Sequence, residues 1–94
     1  MSRLKCIVEY DGTRFVGWQR QLNGRSIQEA IEQAIEKIAE KKITIFGAGR
    51  TDTGVHAVHQ VFHFDFNKDI DAKKITDALN FHLKDDSISI LKTE

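Results

Sequence analysis

The order of hydrophobic periods along the chain predicts an α+β fold of the ferredoxin-like, split β-α-β kind: a four-stranded antiparallel sheet with two helices on one face. Three observations carry that expectation. Leu4, Cys6, Val8 and Tyr10 alternate with Lys5, Ile7 and Glu9, which is the period of a strand. Ser26, followed three residues on by Glu29, forms a capping box ahead of an apolar stripe at Ile27, Ile31, Ala34, Ile35 and Ile38, which is the period of a helix. Alternation returns from Ala57 to Phe66, with Val58, Phe62, Phe64 and Phe66 on one side and His59, Val61, His63 and Asp65 on the other.

Taken in order, the first strand runs from Leu4 to Tyr10 and ends at Asp11-Gly12, a turn-forming pair. Thr13 to Arg25 has no clear period and reads as a long loop or a partly paired excursion, of a length that usually has a function. The first helix follows, its outer face expected to carry Glu29, Glu32, Glu36 and Lys37. A second strand is expected over Ile43 to Gly47 and a third over Ala57 to Phe66, with the Phe side packed on the helices. Asp71 is placed to cap a second helix in which Ile75, Ala78, Leu79 and His82 share a face, and Ile88 to Leu91 makes a last short strand. The resulting order is β-α-β-β-α-β, and many RNA-binding sheets share it, so the topology permits RNA binding without establishing it.

Ninety-four residues, 40% of them apolar, suit one domain with a two-layer core. No apolar run approaches the roughly 20 residues of a membrane span, and the amino terminus lacks a signal-peptide pattern, so a cytoplasmic, membrane-free protein is expected. The single cysteine, Cys6, sits in the first strand and reads as a buried, inert thiol. Formal net charge is zero, but Thr13 to Gln28 holds Arg14, Arg20 and Arg25 without an acid, and Lys41, Lys42 and Arg50 follow. A neutral chain can therefore carry one basic face.

The most chemical stretch is Gly47-Ala48-Gly49-Arg50-Thr51-Asp52-Thr53-Gly54-Val55-His56-Ala57. It lacks the third glycine of a dinucleotide fingerprint and the Gly-Lys pair of a P-loop. Residues two apart in an extended segment point the same way, which sets the Arg50 guanidinium beside the Asp52 carboxylate. A neighbouring cation favours the ionised acid, so Asp52 is poised as an anion for nucleophilic, basic or electrostatic work, with Gly47, Gly49 and Gly54 leaving room around it. The plainer alternative is a surface turn with an incidental ion pair.

Tyr10 to Gln21 mixes aromatics, amides and arginines. Arg14, Phe15, Trp18, Gln19, Arg20 and Gln21 are candidates for stacking on bases and binding phosphates, although Phe15 and Trp18 serve equally well to fold the loop back on the sheet. His56, His59 and His63 do not make a metal site, because on a strand His59 and His63 share a face while His56 points oppositely.

Together and in order, YDGTRFVGWQRQ, SIQEAIEQAIEKI and GAGRTDTGVHAVHQVFHF resemble the amino-terminal half of the tRNA pseudouridine synthase A family, over nearly the whole chain. The resemblance implies an isomerase that breaks the C1′–N1 bond of a uridine in the anticodon arm of tRNA and rejoins the base through C5. It further implies no cofactor, no metal and a homodimeric enzyme. Asp52 occupies the position of the family's essential aspartate, and Arg50 that of the arginine close to it. Gly49, Thr51, Gly54 and His56 fall in the same motif as RNA-binding or supporting residues. The family enzyme is roughly twice as long, with its cleft between two similar halves, so this chain is expected to be one half and inactive alone. The family's Asn-x-x-Leu-Pro-x-Asp-Ile becomes Asn80-Phe81-His82-Leu83-Lys84-Asp85-Asp86-Ser87-Ile88, which leaves the register of the last strand open. Two other classes fit the topology: an RNA-binding module without catalysis, and a homo-oligomerisation domain.

Overall fold

The computed structural model describes residues 2–15, 17–18, 24–48 and 57–94, with the backbone alone at residues 14 and 57–59. Alternation in the first residues produces β1 (Ser2–Tyr10), with Cys6, Val8 and Tyr10 buried and their odd-numbered neighbours on the other face. β3 (Ala57–Phe66) runs antiparallel to it from Ser2 opposite Phe66 to Tyr10 opposite Ala57. β4 (Ile88–Thr93) pairs antiparallel along the other side of β1, and β2 (Phe46–Gly47) adds to the free side of β3. The sheet order is β2-β3-β1-β4. Phe62, Phe64 and Phe66 share one buried cluster with Ile27, Ile31 and Ile35 of α1 (Ile27–Ala39) and Ile75, Leu79 and Leu83 of α2 (Ala72–Leu83). Both helices therefore cover one face of the sheet, and the expected α+β, split β-α-β arrangement is present.

Local chemistry explains where the elements begin. Ser26 Oγ accepts from Glu29 N at 3.1 Å, the first half of the expected capping box. Two further amides at the start of α1, Ile27 N and Gln28 N, donate to Gly17 O and Trp18 O at 3.0 and 2.9 Å. The preceding loop thus satisfies helix donors that would otherwise lack partners. Gly17, at φ 99°, makes that approach in a conformation that favours glycine. At α2, Asp71 holds the N-cap position but its side chain makes no capping bond; only its carbonyl serves, accepting from Ile75 N at 3.1 Å.

The stretch expected as a loop opens with a 3₁₀ turn over Gly12–Arg14, nucleated by Asp11 Oδ1 accepting from Thr13 N and Thr13 Oγ1 at 2.9 and 2.6 Å. Three expectations are corrected. The second strand is shorter than Ile43 to Gly47, because the backbone of Ile45 bonds to side chains of α1 in place of a ladder. Glu32 is accordingly not on the outer face of α1; it is buried, 6% exposed, and accepts from Ile45 N. The last strand runs two residues beyond Leu91 through a bulge: Ile7 faces Lys92 but Val8 faces Ile90. That extra residue turns Thr93 inward, where its hydroxyl meets Cys6 Sγ at 3.4 Å and Thr76 Oγ1 at 2.7 Å. Asn80 pins the same strand, donating to Ile90 O at 2.9 Å and accepting from Ile90 N at 2.7 Å.

Candidate active site

The two motif-bearing segments meet where Trp18 packs against Gly47. β1 ends at Tyr10 opposite Ala57, where β3 starts, while β2 runs toward that end but stops at Gly47, opposite Phe62 in the middle of β3. Ala48 N donates to Val61 O at 2.8 Å, extending the β2–β3 pairing by one residue before the connection to Ala57 begins. Gly49, Arg50, Thr51, Asp52, Gly54 and His56 all fall in that connection and lie outside the described residues, as do Gln19, Arg20 and Gln21. The side chain of Arg14 lies outside them too.

The described residues beside Gly47 form an aromatic cluster. Trp18 is 2% exposed, with its ring centroid 6.0 Å from that of Tyr10 and 6.0 Å from that of Phe62. From Phe62 the contacts continue to Phe64 and Phe66 at 6.1 and 6.0 Å. Phe15 is 4% exposed and belongs to the same core. Both rings are thus committed to packing the loop onto the sheet, and neither presents a face on which a base can stack. Gly47 departs from expectation in a related way. A Cβ there would lie 2.7 Å from Trp18 Cε2 and closer still to Nε1, so the space its hydrogen leaves is filled by the indole. The first loop and the start of the Gly-Arg-Thr-Asp connection are locked to each other through one ring and one glycine.

Other candidates resolve individually. Arg25 does not stand on an open basic face, because its guanidinium donates to Asp86 Oδ1 and to Gln33 Oε1, each at 2.8 Å. Cys6 is fully buried and burial pushes its thiol up to about 11, far from the thiolate that a nucleophile requires. His63 stacks on Phe46 with ring centroids 5.3 Å apart on the helix-free face of the sheet. Among the described residues no three His, Cys, Asp or Glu side chains are grouped as metal ligands, and no helix is long and apolar enough to cross a membrane. Sequence reasoning missed the contacts of Gln28 and Glu32 with Ile45; their i, i+4 spacing beside the apolar stripe was the available signal.

A profile of the tRNA pseudouridine synthase family matches residues 6–94. The chain belongs to the tRNA pseudouridine synthase family. It is 55% identical over 96 aligned residues to a protein of Brucella ovis, 52% over 94 to one of Anaplasma marginale (strain Florida) and 48% over 92 to one of Maricaulis maris, each named tRNA pseudouridine synthase A. These alignments take in 98–100% of this chain but only 37–38% of each relative. Family membership bears on the catalysis-free RNA-binding reading as well. Such a module needs aromatic rings on the open face of its central strands. Here that face of β1 and β3 carries Arg3, Lys5, Ile7 and Glu9 beside Val61, His63 and Asp65, while the phenylalanines of β3 point into the core.

Proposed function

We propose that this chain supplies the aspartate-bearing part of an active site that isomerises uridine to pseudouridine in the anticodon arm of tRNA. The observation that supports it most is the family match across residues 6–94, which includes the Arg50–Asp52 segment. In support, Gly47, at the start of that segment, packs against Trp18 of the loop that follows β1. In the chemistry we envisage, the target nucleotide leaves the stack, at a cost of a few kcal/mol, because a stacked base gives no access to C1′. Arg50 keeps Asp52 ionised and fills the gap or holds a phosphate. The Asp52 carboxylate then stabilises positive charge at C1′ as the N1 bond breaks, as carboxylates do in glycoside cleavage. Attack on the sugar, attack on the base and removal of the C2′ proton are the three routes open to it. The uracil is retained and rotated, a bond forms from C5 to C1′, and the C5 proton is lost while N1 gains one, so the product is an isomer of the substrate.

Gly49, Thr51, Gly54 and His56 line the same segment in this reading, and Arg14, Gln19, Arg20 and Gln21 are available to tRNA phosphates. The whole protein acts in the cytoplasm as a homodimer, without metal or cofactor. The test is a chimera in which this chain replaces the matching part of the Brucella ovis relative. Asp52→Asn is expected to lower pseudouridine formation by about a thousandfold or more while tRNA affinity stays within about twofold. A variant that still converts uridine at the parental rate refutes the reading.

A further inference from the structure

Two side chains outside the motif hold the backbone that leads into it. Glu32 Oε2 accepts from Ile45 N at 3.0 Å, and the Gln28 amide, one helical turn earlier, donates to the same Oε2 and to Ile45 O, each at 3.2 Å. Both polar groups of the Ile45 backbone are therefore held by α1, where a neighbouring strand would normally hold them. Gln28 N donates in turn to Trp18 O at 2.9 Å, and the Trp18 indole fills the space over Gly47. One turn of helix thus fixes the residue before β2 and, independently, the ring packed on β2. Packing alone does not call for a carboxylate here. Burying one is costly unless it is hydrogen-bonded, and the nearby buried positions 31 and 35 of α1 are filled by isoleucine.

We infer that Glu32, steered by Gln28, is a positioning residue for the reaction: it sets the course of Ile45 to Ala48 and so the take-off of the segment carrying Asp52. This rests on the reading that Asp52 acts on a tRNA uridine. Glu32 is buried between α1 and the residue before β2, so its effect is expected in the chemical step and not in tRNA binding. A displacement of about 1 Å at a reacting group can cost about a hundredfold in rate.

The experiment uses the same chimera, with kcat and KM for tRNA measured beside circular dichroism and melting. Glu32→Ala is expected to lower kcat about 10- to 100-fold with KM within about twofold, in protein that is fully folded at the assay temperature. Glu32→Gln keeps an oxygen for Ile45 N and is expected to return kcat to within about threefold of the parent. Should Glu32→Ala not fold, Gln28→Leu takes its place, with kcat expected to fall about 3- to 10-fold. Parental kcat in the folded Glu32→Ala chimera, or in Gln28→Leu where that replaces it, overturns the inference and leaves the role of Asp52 standing. An inactive parent, or a fully active Asp52→Asn, strikes the functional reading instead.

Discussion

Gly47 and Trp18 show how a motif residue can be fixed for a reason its sequence does not display. In the sequence, Gly47 reads as one of three glycines giving clearance to Arg50 and Asp52; in the fold, the indole of Trp18 fills the place where a side chain would be. Its φ is not positive, so a substitution there meets a steric obstacle and no backbone one. Gly47→Ala must displace the ring, which is also packed with Tyr10 and Phe62, an overpacking that costs about 1–3 kcal/mol. Trp18 is the only tryptophan, so the change reports on itself. We expect a lower urea midpoint and a red-shifted emission for Gly47→Ala, and unchanged emission would show that the indole does not lie against Gly47. The same two residues show what was legible at this scale. That Phe15 and Trp18 are special follows from their company of glycines and amides, but exposed and packed roles demand the same residue types, and only the tertiary contacts choose between them.

Secondary structure was legible wherever its signal lay in the chain's own periodicity or capping chemistry. The two helices, the long third strand and the β-α-β-β-α-β order follow from stripes and alternations that one face of the sheet buries. The second strand was misread because alternation cannot show that a carboxylate thirteen residues earlier would claim the amide of Ile45. The last strand lost its register at a bulge for a similar reason: Asn80 and Thr76, both on α2, decide which residues of β4 turn inward. The helix starts offer a matched test of this distinction. Ser26 and Asp71 occupy equivalent N-cap positions in α1 and α2, yet only Ser26 makes a side-chain capping bond. Ser26→Ala is therefore expected to destabilise the chain by about 1 kcal/mol. Asp71→Ala should change stability by only a few tenths of a kcal/mol, the size of an exposed charge near a helix dipole. Urea unfolding of the two variants separates these values, and equal losses would mean that residue type alone sets the cap energy.

At the scale of the molecule, the chain closes a core of its own while its relatives are far longer. The aromatic series from Tyr10 through Trp18 to Phe66 joins both helices and β4 in one buried cluster, which predicts that this chain folds without a further surface. Some of its described charges stand in ion pairs: Arg3 with Asp65, Lys5 and Lys92 with Glu94, Arg25 with Asp86, and Lys68 with Glu40. Arg3 holds the Asp65 carboxyl below its ordinary range, and Lys5 and Lys92 do the same for Glu94, so these acids stay ionised and keep their cations engaged. The lysines outside these pairs, Lys37, Lys41, Lys42, Lys73, Lys74 and Lys84, are divided between α1, the segment after it, and α2 with its C-cap, and the net charge is zero. The chain by itself should therefore unfold in one cooperative urea transition with a slope of about 1 kcal/mol/M. It should bind tRNA no more tightly than roughly 10⁻⁴–10⁻⁶ M, the range of non-specific phosphate contacts, and lose that binding between about 50 and 200 mM salt. No pseudouridine should form when it is incubated alone with tRNA, whereas the chimera carrying the remainder of the Brucella ovis relative should produce it, as chemical labelling followed by mass spectrometry would detect. Turnover by the chain alone would place every group the reaction needs within these 94 residues and remove the need for a second half of the cleft.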